Sequence, residues 1–322
     1  MINIGIVGFG NLGKSIAKCI DNFTDLHLFA VFSRRDPSQI DSKYRIESLS
    51  HIGQFKDQID VLILALGSQR DIPELASTLI NQFNTVDVYD NHAFIPEHFK
   101  EMNQIALENN KVSIISTGWD PGLFSLERTL ADAVLPIGHT YTFWGPGLSQ
   151  GHSDVVRHVI GVKYGVQYTI PKEEIVEEAR QGKDIDFSPS KAHRREVYVV
   201  LEDNADAEVI SAEIKSIPDY FEPYETNVHF ISEEDFLREH QGMPHGGIVI
   251  RSGETSKQMQ DNFEFKLTLE SNPEFTASIS LAYARAAARL AKEKNYGAKT
   301  VLDIPISYLS NRDKDELLAH FI

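Results

Sequence analysis

Six residues near the start of the chain, Gly8–Gly13 with the sequence GFGNLG, decide which fold the first part of the chain can adopt. They follow the apolar run INIGIV, and their last two residues begin the segment LGKSIAKCI, whose apolar residues recur at helical spacing. Glycines in the pattern G-x-G-x-x-G allow a tight turn, a close approach of the backbone to a pyrophosphate, and close packing of a helix on a strand. The pattern predicts a dinucleotide site at the start of the helix, formed by Gly8, Phe9, Gly10, Asn11, Leu12 and Gly13.

The alternation of strand and helix continues through the first third of the chain. Short apolar runs such as LHLFAVFS, DVLILALGS, TVDVYDN and KVSIISTG alternate with helix-patterned segments such as PELASTLINQF. Continuous apolar strands separated by helices are typical of βαβ units, whose parallel sheet is buried on both faces. We therefore predict an α/β fold with a Rossmann-like, doubly wound parallel sheet.

The pattern changes after residue 118. Alternating segments such as REVYVVLED and ETNVHFI, mixed with charged stretches such as KEEIVEEARQG, indicate a second α+β domain on a largely antiparallel sheet. The stretch FTASISLAYARAAARLAKEKN predicts one long helix that returns to the first domain. We expect a dinucleotide-binding domain at 1–118 plus 275–322 and a second domain at 119–274.

Ser33, Arg34 and Arg35 stand where the second predicted strand ends. A dinucleotide fold that prefers NAD usually places an Asp or Glu there for the ribose 2′-hydroxyl, whereas the 2′-phosphate of NADP needs donors and positive charge. Ser33 can donate a hydrogen bond, and an arginine can bind a phosphate through two parallel hydrogen bonds. Asp36 follows one residue too late to be the ribose partner unless the loop bends. We therefore predict NADP rather than NAD.

The composition restricts the remaining functions. Thirty-one Lys and Arg against 47 Asp and Glu give a net charge of −16, which repels nucleic acid and anionic membranes. The single cysteine, Cys19, excludes an intrachain disulfide or thiolate cluster and fits a reducing compartment. Because the chain shows no targeting segment, membrane-length apolar run or metal motif, we expect a cytoplasmic protein without metal, nucleic-acid or membrane partners.

Two further loops follow predicted parallel strands. Gly67 and Ser68 come directly after DVLILAL, and STGWDPG follows KVSII. Open α/β sheets bind ligands at the carboxyl ends of their strands. We expect both loops to contact the cofactor or the substrate.

Longer motifs carry a family resemblance. GFGNLG, FSRR, YDNH, STGWDPGLFS, TFWGPGLSQGHSD, QYT and MPHGG closely resemble the meso-diaminopimelate dehydrogenases, and the resemblance covers nearly the whole chain. It implies NADP-dependent, reversible oxidative deamination of the D-centre of meso-2,6-diaminopimelate to L-2-amino-6-oxopimelate and ammonia, in the pathway to lysine and peptidoglycan precursors. It also implies a homodimer in which the domain at 119–274 binds substrate and supplies dimer contacts.

The resemblance also implies roles at the reacting end of the substrate. Asp90 and Asp120 are the expected catalytic carboxylates, because each follows a strand and a carboxylate suits an ammonium group; a turn-forming role is the alternative for both. His92 and His152 are either proton-transfer groups or structural histidines. Beyond the glycine loop and Ser33–Arg35, the expected cofactor contacts are Gly67, Ser68, Asp90, Asn91, His92, Trp119, Pro121 and Gly122. The expected substrate contacts here are His92, Trp119, Asp120, Trp144, Gln150, Gly151 and His152.

The far, L-configured end of the substrate needs a clamp for its carboxylate and an acceptor for its ammonium group. By resemblance, Thr169, Arg195, His245 and Asn272 fill this role. Asp154 is expected to line the same pocket and to help seat an ammonium group. Arg195 suits the carboxylate because its planar guanidinium binds through two hydrogen bonds, although the neighbouring Arg194 is an alternative.

Two other functions remain open at this point. One is another NADP-dependent reductase of two-domain build, of the homoserine or semialdehyde type; an acylating semialdehyde dehydrogenase would need a nucleophilic cysteine, and Cys19 lies in the first predicted helix. The other is an NADP sensor without catalysis, which would have no need for Asp90, Asp120, Arg195 and His245 together.

Overall fold

The computed structural model describes all 322 residues, which pack as two compact units. Unit 1 contains residues 1–126 and 273–322, and unit 2 contains residues 127–272. Each boundary lies within or at the end of a helix, Leu123–Val134 for the first and Asn272–Lys292 for the second. The sequence pattern predicts boundaries at 118/119 and 274/275. A continuous helix produces no change of pattern at the boundary that it contains.

Unit 1 is built on a seven-stranded sheet in which every neighbouring pair is parallel. Its order is β14-β6-β5-β4-β1-β2-β3, with strands numbered along the whole chain. The predicted α/β class with a Rossmann-like parallel sheet is confirmed. The strands are β1 (Ile2–Val7), β2 (Leu26–Ser33), β3 (Ile46–Ser48), β4 (Val61–Leu64), β5 (Asn84–Asp87), β6 (Val112–Ile114) and β14 (Gly297–Lys299).

The helices of unit 1 are α1 (Asn11–Cys19), α2 (Asp71–Ile80), α3 (Ile95–Glu108), α4 (Leu123–Val134, which contains the unit boundary), α10 (Asn272–Lys292) and α11 (Lys314–Phe321). Of these, α1 and α10 pack on one face of the sheet, and α2 and α3 pack on the other. Short 3₁₀ helices occupy Ile20–Asn22, Pro37–Gln39, Leu49–Phe55, His92–Phe94, Val301–Asp303 and Ile306–Tyr308.

The strands read as continuous apolar runs because both faces are buried. Neighbouring residues of β4 illustrate this: Ile63 packs with α1 and α10 on one face, and Leu62 packs with α2 and α3 on the other. Side chains of successive strand residues point to opposite faces, so a sheet covered on both sides needs apolar residues at every position.

Unit 2 contains two smaller sheets and five helices. The four-stranded sheet has the order β11-β10-β9-β8, and the three-stranded sheet has the order β13-β12-β7. All neighbouring pairs are antiparallel except β10 with β11, which agrees with the predicted largely antiparallel architecture. The strands are β7 (Ile137–Trp144), β8 (Gly147–Leu148), β9 (Val162–Pro171), β10 (His193–Leu201), β11 (Glu225–Phe230), β12 (His245–Ser256) and β13 (Met259–Leu269). The helices are α5 (Gln150–Arg157), α6 (Glu173–Arg180), α7 (Pro189–Ala192), α8 (Ala207–Lys215) and α9 (Glu233–Glu239).

None of the helices in either unit combines the length and the apolar character that crossing a lipid bilayer requires.

Candidate functional site

The glycine loop of unit 1 forms the turn between β1 and α1. Gly8 has a φ of +100°, a backbone conformation that residues with a Cβ rarely adopt. A Cβ on Gly13 would overlap the carbonyl oxygen of Gly8, whereas a Cβ on Gly10 would meet nothing within 4 Å. Open space at Gly10, beside the backbone N–H groups at the start of α1, is the arrangement that an anion such as a pyrophosphate needs.

A cavity of about 560 Å³ extends from this loop along the carboxyl ends of β1, β2 and β4. Its lining combines backbone of the glycine loop with basic side chains and one carboxylate. The lining residues are Val7, Gly8, Phe9, Gly10, Lys14, Phe32, Ser33, Arg34, Arg35, Leu49, Ala65, Leu66, Gly67 and Asp71. The cavity therefore brings together the predicted residues Gly8, Phe9, Gly10, Ser33, Arg34, Arg35 and Gly67.

The two arginines of this cavity have partners within the protein. Arg34 Nη1 lies 2.8 Å from a carboxylate oxygen of Asp71. Arg35 Nη2 donates to the carbonyl oxygen of Phe9 at 3.3 Å, and the Arg35 N–H donates to Ser33 Oγ at 3.1 Å. A phosphate bound here would gain three hydrogen-bonding groups that are already gathered at one end of the cavity.

Asp36 is not available as a ribose partner in this conformation. Its carboxylate accepts hydrogen bonds from the backbone N–H of Ser38 at 2.9 Å and from Ser38 Oγ at 2.8 Å, which caps the 3₁₀ helix Pro37–Gln39. The loop does not bend Asp36 into the cavity lining, so the charges there come from Lys14, Arg34, Arg35 and Asp71.

Asp90 lies on an exposed loop that follows β5. Its backbone N–H donates to Ser68 Oγ at 3.2 Å, so the Gly67–Ser68 loop after β4 touches the loop after β5. Asn91 precedes the 3₁₀ helix that starts at His92, and the His92 side chain is exposed. The structure thus groups Ser68, Asp90, Asn91 and His92 at the carboxyl edge of the sheet.

Trp119 and Asp120 lie on the next loop, which follows β6. This loop is closed by bridges from Gly118 and Trp119 to Gly122, and the indole of Trp119 packs edge-to-face on Phe124 at 5.2 Å. Trp119, Pro121 and Gly122 are buried, while Asp120 is half-buried. Because β5 and β6 are neighbours in the sheet, the loops that carry Asp90 and Asp120 leave the same edge side by side.

Arg195 and Thr169 form the polar centre of unit 2. They face each other across the β9–β10 pair, and Arg195 Nη1 donates to Thr169 Oγ1. The Arg195 guanidinium lies 3.8 Å from the centre of the Tyr224 ring, and Gln167 Nε2 donates to Thr169 Oγ1 at 3.3 Å. All three strand residues are buried, and burial lowers the pKa of Arg195. Arg194, the alternative to Arg195, instead pairs with Glu196 at 2.9 Å.

Two buried polar atoms in this centre have no hydrogen-bond partner, Arg195 Nε and Gln167 Oε1. Buried donors and acceptors are nearly always paired, because an unpaired buried polar group costs about 1–3 kcal/mol. One unpaired donor and one unpaired acceptor at the same place fit a ligand that carries both an anionic and a cationic group.

His152 contributes a neutral imidazole from the first turn of α5. Its Nδ1 lies 2.8 Å from Ser149 Oγ, and its ring packs edge-to-face on Tyr220 and Phe221. Burial, with the positive charge of Arg195 in addition, lowers the pKa of His152 to about 4. Gln150 and Gly151 begin the same helix and are exposed, and Gln150 Nε2 lies 3.1 Å from Met243 Sδ.

Asp154 lies on the outer side of α5. Its side chain is 62% exposed and pairs with Arg157 at 3.1 Å. The expectation that Asp154 seats an ammonium group gains no support from this contact.

His245 packs closely against Gly147 in the loop that follows Trp144. Leu148 N–H donates to the carbonyl oxygen of Pro244 at 2.8 Å, and the Gly246 N–H donates to His245 Nδ1 at 2.8 Å. The Trp144 N–H donates to His193 Nε2 at 2.9 Å. The motifs TFWGPGLSQGHSD and MPHGG, about a hundred residues apart in the sequence, are therefore packed together, and Asn272 joins them through an N–H bond to the carbonyl oxygen of Met243.

The sequence analysis did not predict several residues at or near the candidate site in the two units. Gln167 could have been found, since it lies two residues before Thr169 and residues two apart on a strand share a face. Asp87 and His98, a buried pair in unit 1, stand in DVYDN and PEHF without a motif. The remaining ones, for which no local signal exists, are Lys14, His193 and Tyr224.

Comparison with known proteins gives concordant matches. Residues 118–271 match the family model described as Diaminopimelic acid dehydrogenase C-terminal domain. The meso-diaminopimelate D-dehydrogenase of Ureibacillus thermosphaericus is 50% identical over 319 residues, which is 98% of each chain. A substituted meso-DAP dehydrogenase from Clostridium tetani E88, solved with DAP, is 48% identical with a TM-score of 0.92 and covers 100% of both chains. An engineered D-amino acid dehydrogenase bound to NADP+ is 43% identical with a TM-score of 0.85, covering 100% of this chain and 99% of that one.

Proposed function

Since the chain belongs to the meso-diaminopimelate D-dehydrogenase family, we propose that it catalyses the NADP-dependent, reversible oxidative deamination of meso-2,6-diaminopimelate. The D-centre becomes the oxo carbon of L-2-amino-6-oxopimelate, and ammonia is released. The product and its cyclic form, tetrahydrodipicolinate, connect this reaction to lysine and peptidoglycan precursors. The observation that carries the proposal within this structure is the unpaired Arg195 Nε beside the unpaired Gln167 Oε1.

The choice of NADP rests on the cavity of unit 1. Arg34, Arg35 and Ser33 stand at the carboxyl end of β2, where the adenosine ribose of a dinucleotide binds in this class of fold. Asp36, the only carboxylate in that segment, is engaged by Ser38. The engineered relative solved with NADP+ supports the same choice.

We assign the L-configured end of the substrate to unit 2. Arg195 binds its carboxylate, and the amide of Gln167 together with Thr169 accepts from its ammonium group. His245 and Asn272 complete the polar surroundings. We place His152 here rather than at the reacting end, because the charge of Arg195 acts on its imidazole. The neutral state of His152 avoids repulsion of the substrate ammonium.

A relative supports these positions. The substituted residues in the Clostridium tetani structure are a glutamine, a threonine, an arginine, a proline, a histidine and an asparagine. This chain carries the same six residue types in the same order and at the same intervals along the sequence. They are Gln150, Thr169, Arg195, Pro244, His245 and Asn272.

The reacting end needs groups that handle protons. Bound NADP+ supplies the acceptor for the hydride that leaves the D-centre. We assign Asp90 and Asp120 to orient the ammonium group, to accept its proton as the amine becomes an imine, and to position the water that releases ammonia. Trp119, buried next to Asp120, restricts the access of other water.

Selectivity for the meso isomer follows from holding both ends at once. A substrate that lacks the far amine or carboxylate leaves buried polar groups such as Arg195 unpaired, which costs more than the loss of a methylene group. We therefore expect simple D-amino acids such as D-alanine to be poor substrates.

We also propose that the protein is a homodimer in the cytoplasm. The family resemblance supports the homodimer. The cytoplasmic location is supported by a substrate and a cofactor that are both metabolites. Light scattering should give twice the chain mass. The semialdehyde alternative is not favoured, because Cys19 lies at the far end of α1 and is not part of the cavity lining.

The first test is the reduction of NADP followed at 340 nm with meso-, LL- and DD-diaminopimelate and with D-alanine. We expect turnover with the meso isomer alone. Tight NADP binding without turnover of any isomer would contradict the substrate assignment. It would favour the alternative functions, an NADP sensor without catalysis or another NADP-dependent reductase.

The cofactor choice is tested by the double variant Arg34→Ala/Arg35→Ala. Loss of charge-assisted hydrogen bonds to the 2′-phosphate should raise KM for NADP about 10- to 100-fold and leave KM for NAD nearly unchanged. Arg45→Ala, an arginine outside the cavity lining that pairs with Glu47, is the matched control. Equal effects on NADP and NAD would contradict recognition of the 2′-phosphate.

A further inference from the structure

Asp87, the last residue of β5, accepts five hydrogen bonds although it is only 1% exposed. Its Oδ1 accepts from the backbone N–H of Tyr89 at 3.0 Å and of Ser116 at 2.9 Å. Its carbonyl oxygen accepts from Thr117 N–H and Thr117 Oγ1, both at 2.9 Å. Its Oδ2 lies 2.8 Å from Nε2 of the buried His98.

These bonds join three segments that are separate in sequence. Tyr89 belongs to the loop after β5 that carries Asp90, and Ser116 and Thr117 begin the loop after β6 that carries Asp120. His98 belongs to α3 and also packs its ring on Tyr89 at 4.4 Å. A single carboxylate thus ties both loops that bear the assigned catalytic groups to one rigid helix.

The loop after β6 needs such an anchor. Ser116 has a φ of +57°, in the left-handed region that residues with a Cβ rarely adopt, and its Oγ is buried without a partner. The bonds from its N–H and from Thr117 to Asp87 hold this corner in place. Trp119 and Asp120 follow this corner within four residues of Ser116.

We propose that Asp87 is a positioning residue of the reaction, which sets the placement of Asp90 and Asp120 relative to each other. This inference rests on the proposed function for its kinetic consequence. The rate of a reaction in an active site depends steeply on the positions of the reacting groups, since a displacement of about 1 Å can lower the rate about 100-fold.

Asp87→Ala removes the carboxylate and leaves the bonds to the Asp87 carbonyl oxygen. We expect kcat with meso-diaminopimelate to fall about 100-fold. Asp90 and Asp120 are still present in this variant, but the two loops that carry them are no longer held in place. Binding of 2′,5′-ADP, a probe for the adenosine end of the cavity, should change less than about twofold. Asp87→Asn keeps the Oδ1 acceptor, and its amide can donate to His98 Nε2 if the ring carries its proton on Nδ1. It should restore kcat to within about fivefold of the wild type.

Asp60→Ala is the control for the loss of a carboxylate that holds backbone, although Asp60 is exposed and Asp87 is buried. Asp60 also holds backbone, since its carboxylate accepts from the Asn3 N–H at 2.7 Å, but it precedes β4 at the opposite edge of the sheet. This variant should lower the melting temperature and leave kcat near the wild-type value. A fall in kcat of similar size in both variants would overturn the positioning role.

A fluorescence readout keeps the inference testable without turnover. Trp119 and Trp144 are the only tryptophans, so a Trp144→Phe background isolates Trp119 in the loop that Asp87 holds. Well below the melting temperature, Asp87→Ala should raise acrylamide quenching of Trp119 at least about twofold, while Asp87→Asn and Asp60→Ala leave it unchanged. Unchanged quenching in Asp87→Ala would refute the anchor even if wild-type turnover is absent. Absent wild-type turnover with increased quenching would contradict the proposed function alone.

Discussion

At the scale of single residues, two neutral histidines of unit 2, the half-buried His152 and the buried His193, make its stability depend on pH. Burial lowers the pKa of both His152 and His193 to about 4, with a further lowering by the charge of Arg195. His193 uses this state directly, because its Nε2 accepts the Trp144 N–H while Nδ1 faces the carbonyl oxygen of Pro189 at 2.8 Å. Both rings must therefore lose a proton on folding whenever the solution is acidic enough to protonate them in the unfolded chain.

This predicts a loss of stability in mild acid. The unfolded chain binds a proton at each of these histidines below about pH 6.5, and the folded chain does so only near pH 4, so the free energy of unfolding falls across that range. Between pH 7.5 and pH 5, His152 should account for about 2 kcal/mol of this fall. Urea unfolding at both pH values should therefore show a pH dependence smaller by about that amount in His152→Gln. An identical pH dependence in the variant would mean that folded His152 titrates near its ordinary pKa.

At the scale of elements, the turn from β1 to α1 separates the structural from the binding role of its glycines. Gly13 has the Gly8 carbonyl oxygen where a Cβ would lie, whereas Gly10 faces open space at the start of α1. The first is required to pack the helix on the strand, and the second leaves room for the ligand.

The two alanine variants should behave differently. Gly13→Ala should lower the free energy of unfolding by about 3 kcal/mol, because the backbone of the turn must shift. Gly10→Ala should change stability by less than about 1 kcal/mol and raise the Kd for NADP at least about tenfold, since the methyl group fills the space that a pyrophosphate needs. Thermal melts and NADP titrations measure both effects. Wild-type NADP affinity in Gly10→Ala would place the pyrophosphate elsewhere.

At the scale of the whole molecule, unit 1 is assembled from both ends of the chain. Helix α10 supplies buried residues such as Leu281 and Ala284 to the same core as β1 and β2. Its Arg285 binds both carboxylate oxygens of Asp25 and the carbonyl oxygen of Leu309. The dinucleotide-binding fold is therefore incomplete until the chain beyond unit 2 has been made.

A core substitution in α10 should consequently weaken the part of the protein that binds NADP. Leu281→Ala removes a fully buried side chain and should cost about 3 kcal/mol, lowering the thermal transition that NADP shifts upward. Leu302→Ala, at a leucine that is 54% exposed, is the control and should cost less than about 0.5 kcal/mol. Equal melting temperatures in calorimetry would show that α10 contributes little to this core.

The sequence alone determined the features that depend on neighbouring residues. The turn at Gly8–Gly13, the apolar strands of the parallel sheet, the helix α10 and the basic end of β2 follow from backbone freedom, periodicity and charge within short segments. The motif resemblance added the residues around Arg195, whose roles as site residues stay a proposal.

Tertiary structure decided what depends on partners that are distant in the chain. The three-residue strands β3 and β14 carry too few residues for a periodic pattern and exist because a neighbouring strand pairs with them. Asp154 faces outward with Arg157, and Arg34 meets Asp71, because helix orientation and loop closure set these contacts. Asp87 became recognisable only from its bonds to Tyr89, His98, Ser116 and Thr117. A buried carboxylate is defined by the donors that surround it, and folding brings those donors together from separate segments.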